Sequence, residues 1–76
     1  MNNQKRETLG KVKRLLEQAS GLAQNVLDLE QDCLDNMPEN LQMSEKYERM
    51  EDAIYKLESA IEKIDEAKDD ITEASA

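Results

Sequence analysis

The chain has 76 residues, which is enough for one domain at most. Its single cysteine excludes an internal disulfide, and its lack of histidine excludes imidazole ligation of zinc or haem. Its apolar residues are mainly Leu, Ile, Val, Met and Ala, with two tyrosines as the only aromatics, which predicts helices packed on helices. The net charge of −8 is uneven, +4 over residues 1–14 and −12 over residues 15–76, so most of the surface would repel duplex nucleic acid.

The pattern of residues 5–35 predicts a first helix with an unusually broad apolar face. Apolar or small side chains recur at alternating steps of three and four residues, and the resulting seam contains Leu9, Val12, Leu16, Ala19, Ala23, Val26, Cys33 and Met37. A second line, seven residues apart, lies on one flank and contains Leu15, Leu22 and Leu29. Leu27 and Leu34 widen the other flank. Such a face is typical of a helix that touches two or three neighbours in a bundle.

Pro38 disfavours helix at the residue before it and predicts an elbow over residues 36–43. Ser44 is the expected cap of a second helix, residues 44–74. Its seam extends over nearly four heptads and contains Tyr47, Met50, Ile54, Leu57, Ile61, Ile64, Lys68 and Ile71. One position before the seam, small side chains recur every seven residues at Ala53, Ala60 and Ala67.

Together these features predict an all-α protein: one antiparallel, coiled-coil-like hairpin over residues 1–76, which assembles into a homodimer, a homotetramer or a larger bundle. The expected oligomer interface contains Leu15, Leu22, Leu29, Ala53, Ala60 and Ala67. The expected register pairs Leu9 with Ile71 and Cys33 with Tyr47. This register also sets the bases of residues 5–14 beside the acids of residues 62–73. These bases either neutralise that acidic end or form a small anion site.

Catalysis is not expected, because the chain combines no nucleophile with an oriented base and shows no set of metal ligands. We therefore expect no catalytic residues, no cofactor and no metal site. Cys33 is expected to be a small core residue, with an intermolecular disulfide or a redox role as the alternative. No apolar run approaches the roughly 20 residues that span a bilayer, and no signal-peptide pattern follows the basic start, so we expect a cytoplasmic protein without membrane contact.

The elbow and the start of the second helix resemble a widespread group of small helical proteins from Gram-positive bacteria and their phages. The likeness rests on Asn36-Met37-Pro38-Glu39, on Leu41-Gln42-Met43-Ser44-Glu45 and on Met50-Glu51-Asp52-Ala53-Ile54, within a region of about residues 24–74. The chain departs from the group's pattern at Met43, where a glycine is expected. The resemblance implies an accessory protein of phage or mobile-element origin.

Accessory proteins of this kind commonly act by binding, and the resemblance implies a counter-defence factor that blocks a host component. The leading hypothesis is capture of an anionic signal, a cyclic or ADP-ribose-type nucleotide, in basic pockets between subunits. The side chains suited to such a ligand are Lys13, Arg14, Lys46, Arg49 and Tyr55. Two alternatives stay open: masking of a host protein by the acidic helices, as a mimic of nucleic acid, and a structural coiled-coil adaptor.

Overall fold

The computed structural model describes all residues 1–76 and contains two long helices and no strand. Helix α1 spans Asn3–Asp35 and helix α2 spans Glu45–Ala74, and the elbow between them contains one 3-10 turn, Glu39–Leu41. The helices pack against each other as a hairpin measuring 60 × 15 × 12 Å. The all-α helical hairpin predicted from the sequence is confirmed, and its assembly into a bundle stays a prediction.

Both helices begin at a side-chain cap. The Oδ1 atom of Asn2 accepts a hydrogen bond from the backbone N–H of Lys5 at 2.8 Å, so α1 starts two residues earlier than the pattern predicted. The Oγ atom of Ser44 accepts from the backbone N–H of Tyr47 at 3.2 Å, which confirms Ser44 as the cap of α2. Each bond satisfies an N–H group that has no partner inside the first helical turn.

The elbow contains Pro38, which continues neither α1 nor α2. Pro38 is extended, with φ −57° and ψ 145°, and its ring nitrogen has no hydrogen to donate to a helix. The side-chain amide of Asn36 donates to the backbone carbonyl of Asp32 at 2.8 Å and so closes the end of α1. The Ser44 hydroxyl donates to the carbonyl of Leu41 and joins the 3-10 turn to α2. These bonds fix the reversal that makes the helices antiparallel.

The seam of α2 lies where the sequence predicted it. All of its residues are at least half-buried, and Ile54 is the one residue of the chain that is fully buried, at 7% exposure. Ala53 and Ala67 are half-buried beside it, whereas Ala60 is exposed. A strict alternation of three- and four-residue steps therefore sufficed to identify the packed side of α2.

The seam of α1 differs from the prediction at three positions. Ser20, Leu27 and Leu34 are half-buried against α2, while the predicted Ala19, Val26 and Cys33 are exposed. For Leu27 and Leu34 the physical reason is volume, because a buried leucine removes more apolar surface from water than the valine or cysteine that precedes it in the chain. Ser20 lies seven residues before Leu27 and so falls on the same side of α1. The prediction of Cys33 as a core residue is wrong, because its side chain is exposed and lines the groove at the elbow together with Lys46 and Met50 of α2.

The expected ion pairs between the helices are also absent. The structure contains two salt bridges, Lys68 with Asp65 at 3.9 Å and Arg49 with Glu45, and both lie within α2. The amino-terminal bases form no ion pair with the acids at the end of α2. Apolar packing alone therefore sets the register, and the bases remain available to another partner.

Candidate functional site

The five side chains predicted to bind an anion do not meet in one hairpin. Lys13 and Arg14 lie at the open end of the hairpin, and Lys46 and Arg49 lie beside the elbow, about 30 Å away at 1.5 Å of rise per residue. Lys13 is half-buried beside α2, and the guanidinium of Arg49 is bound by Glu45. One chain therefore forms no basic pocket of the size of a nucleotide.

The groove at the elbow is chemically mixed. It has a volume of about 370 Å³ and is lined by Glu30, Cys33, Met37, Lys46 and Met50. A single lysine beside a carboxylate does not make an anion site, since the carboxylate repels the charge that the lysine would attract. Elsewhere in the chain, no three carboxylate or thiol side chains converge on a point that would hold a metal ion.

Tyr55 is the exposed aromatic residue of the chain, and its surroundings are acidic. Its side chain is 74% exposed on the outer side of α2. On a helix, residues three and four positions away are the surface neighbours, and for Tyr55 these are Glu51, Asp52, Glu58 and Ser59. An exposed tyrosine supplies a rigid apolar ring with a polar tip, which is typical of an anchor in a protein interface.

Around Tyr55 the carboxylates form a continuous band along α2, which we call the acidic face. Its members are exposed and lie outside the seam of α2, and they are Glu48, Glu51, Asp52, Glu58, Glu62, Asp65, Glu66, Asp69 and Glu73. The bases Lys46, Arg49, Lys56 and Lys63 fall on another sector. With eleven acids and five bases, α2 has a net charge of −6, or one net negative charge per about 7.5 Å of axis.

A second surface lies on α1, where an apolar seam has no partner in the chain. It has the same three- and four-residue steps as a coiled-coil seam, every member is exposed, and we call it the leucine line: Leu15, Ala19, Leu22, Val26, Leu29 and Cys33. Leu15, Leu22 and Leu29 are 65%, 67% and 65% exposed. At about 100° per residue, the leucine line is centred about 100° around α1 from the side that packs on α2.

The leucine line and the alanines of α2 lie on the same side of the hairpin. Ala19, Val26 and Cys33 each precede a residue that packs on α2, and Ala53, Ala60 and Ala67 each precede a seam residue of α2. In an antiparallel pair, positions with this relation to the seam lie along the same edge of the interface. The opposite edge is polar, with Glu17 and Gln24 of α1 beside Glu58 and Asp65 of α2. The hairpin thus has one polar side and one side that is apolar on α1 and carries small residues and the bases Arg49, Lys56 and Lys63 on α2.

Comparison of the chain with family models, curated proteins and solved structures gives no significant match. Neither long helix contains a stretch apolar enough to cross a membrane. The sequence alone predicts Tyr55 as a ligand-binding residue and Leu15, Leu22 and Leu29 as interface residues, and the acids around Tyr55 did not enter that prediction. The signal was present, since the residues three and four positions from Tyr55 can be read directly from the sequence.

Proposed function

We propose that this protein is a non-enzymatic binding protein that acts as a self-associated helix bundle and masks a basic, nucleic-acid-binding surface of another protein. The observation that carries the proposal is the acidic face around Tyr55, where exposed carboxylates occupy three of the four helix positions that neighbour an exposed aromatic ring. Charge at this density steers a basic partner toward α2, and Tyr55 supplies the apolar contact that holds it.

The setting that we propose follows the resemblance at the elbow. A phage or mobile-element accessory protein that acts in stoichiometric amounts needs affinity for a host component and no catalytic site. In this proposal the protein is a counter-defence factor of the host cytoplasm, and the basic host surface that it covers is one that otherwise contacts nucleic acid.

The experiment uses affinity capture with charge variants. The test variant combines Glu51→Gln, Asp52→Asn and Glu58→Gln, which neutralises the carboxylates nearest Tyr55. The matched control combines Asp28→Asn, Asp35→Asn and Glu39→Gln, which removes the same charge outside the acidic face. The bait captures proteins from a lysate of a Gram-positive host, and duplex DNA is then added as competitor.

We expect a partner that is retained by the wild type and the control, lost with the test variant and displaced by duplex DNA. Tyr55→Ala should weaken capture about tenfold or more, since interface tyrosines commonly contribute over 1 kcal/mol. Capture that survives the test variant, or that duplex DNA does not displace, would overturn the proposal.

Capture of an anionic nucleotide between subunits is the second candidate. It is favoured by the amino-terminal bases, which form no ion pair with the acids of their own chain. A panel of cyclic and ADP-ribose-type nucleotides tests it, because a ligand that binds only the folded state raises the melting temperature. A rise that Lys13→Ala with Arg14→Ala abolishes, and that Lys56→Ala with Lys63→Ala leaves intact, would favour this candidate over masking.

A further inference from the structure

From the leucine line and the distribution of charge we infer that two hairpins dock in antiparallel orientation, with α1 of one copy packed along α1 of the other and Leu22 close to the two-fold axis. This inference rests on the self-association in the proposed function and is independent of the partner that the acidic face binds. In this dimer the leucine line is covered by a second copy of this chain.

The first argument is the area left uncovered. The hairpin exposes 5904 Å², whereas a compact monomer of 8.7 kDa is expected to expose about 4,700 Å². The excess of about 1,200 Å² is larger than the roughly 800 Å² that each partner contributes to a standard interface. The radius of gyration of 17.4 Å likewise exceeds the about 11 Å expected for a compact chain of this length. The hairpin therefore has the uncovered surface that a stable dimer requires.

The second argument is the direction of the uncovered seam. A helix at the corner of a four-helix bundle contacts two neighbours that lie about 90° apart around its axis. The leucine line and the α2-facing side of α1 are about 100° apart. The alanines of α2 lie on the same side of the hairpin as the leucine line, and the exposed bases Lys56 and Lys63 flank them. Two hairpins therefore meet chiefly along α1.

The third argument is charge, and it decides the orientation. The half of the hairpin next to the elbow, residues 23–58, carries ten acids and three bases, net −7, while the remaining residues carry eight acids and seven bases, net −1. Parallel docking would place −14 at one end of the dimer and −2 at the other. Antiparallel docking gives −8 at each end. Like charges repel, so the antiparallel arrangement has the lower electrostatic energy.

Individual side chains along the edge of the interface fit the same orientation. Lys11 lies one turn before Leu15, and Asp32 lies one turn after Leu29, both exposed on the edge of the leucine line that is remote from α2. In the antiparallel dimer Lys11 of each copy is level with Asp32 of the other copy. Parallel packing of α1 against α1 would instead set Lys11 against Lys11 and Asp32 against Asp32.

The experiment measures the distance between the two elbows. The chain carries Cys33→Ala, which keeps the leucine line apolar, and Asn40→Cys, which places one spin label in the exposed elbow outside the interface. Antiparallel docking predicts a distance between labels of about 55 Å at 1.5 Å per residue. Parallel docking predicts less than about 25 Å, because adjacent helices are about 10 Å apart.

A pulsed dipolar distance near 55 Å supports the inference. A short distance overturns the orientation, and the absence of a dipolar signal from a folded protein overturns the dimer. A 55 Å distance together with failed partner capture would overturn the proposed function and still support the dimer. Failure of the proposed function can therefore be distinguished from failure of the proposed dimer.

Exchange of the edge charges gives a second readout. Lys11→Asp and Asp32→Lys should each raise the dimer dissociation constant on the order of tenfold, because each change turns two attractive pairs into two repulsive ones. The double variant should restore the dissociation constant of the wild type. If the two edges did not meet, neither single variant would change the dissociation constant, and that result would overturn the inference.

Discussion

Arg6 and Ser75 are joined across the open end of the hairpin: the Nε–H of Arg6 donates a hydrogen bond to the backbone carbonyl of Ser75 at 3.1 Å. This contact lies within one residue of the predicted pairing of Leu9 with Ile71. It is exposed, and no ion pair between the helices accompanies it. Exposed polar contacts of this kind contribute little to stability, so the hairpin depends on its apolar seam.

Removal of the Arg6 contact and truncation of the core should therefore have very different effects. We expect Arg6→Ala to lower the free energy of unfolding by less than about 0.5 kcal/mol, because water replaces the lost hydrogen bond. We expect Ile54→Ala to lower it by about 2–4 kcal/mol, because Ile54 is the fully buried side chain. Urea denaturation followed by circular dichroism measures both. Equal effects would contradict the dominant role of the seam.

The capping bond of Ser44 provides a local test of the elbow. Ser44→Ala removes the acceptor for the backbone N–H of Tyr47 and should destabilise the protein by about 1 kcal/mol. Ser44→Asp keeps an acceptor at the helix start and should restore most of that stability. Melting temperatures of the two variants measure the difference. A stable Ser44→Ala protein would mean that the elbow does not need its cap.

Gly21 lies in the middle of α1 without a structural need for glycine. A Cβ atom built on it meets nothing within 4 Å. We expect Gly21→Ala to stabilise the protein by about 0.5–1 kcal/mol, because alanine loses less backbone freedom in a helix. Thermal unfolding measures the gain. Loss of stability would indicate that another helix approaches α1 closely at Gly21 in the assembled protein.

The leucine line should govern self-association without governing the fold of the chain. Leu22→Glu places a charge where two copies are expected to meet, and we expect the variant to become monomeric while it remains helical. Met43→Glu is the matched control, since Met43 is 92% exposed in the elbow and outside the leucine line. Size-exclusion chromatography with light scattering gives the masses. Equal masses for both variants would remove the leucine line from the interface.

The packed side of α2 could be predicted from the sequence, whereas the packed side of α1 could be predicted only in part. On α2 the residues from Tyr47 to Ile71 follow one period, so only one side could pack. On α1 two neighbouring lines of residues have the same heptad spacing. One line contains Val26 and Cys33, and the other contains Leu27 and Leu34. The choice between them depends on the volume buried against α2, which a helical pattern does not contain.

The candidate site could likewise be predicted from the sequence only in part. The exposure of Tyr55 and the role of Leu22 as an outward residue follow from helical position alone. That Lys13 and Lys46 lie too far apart for one pocket follows from the register, which the sequence also predicted. The unpaired state of the amino-terminal bases did not follow, because flexible side chains at a surface gain little from any one partner and charge patterns do not fix their geometry.

Sedimentation equilibrium of the wild-type chain, from low micromolar to about 100 µM, tests most directly whether the leucine line is covered by a second copy. We predict a mass of twice 8.7 kDa or a larger whole multiple, with a melting temperature that rises with concentration. A fully helical protein with a mass of 8.7 kDa at every concentration would contradict the account.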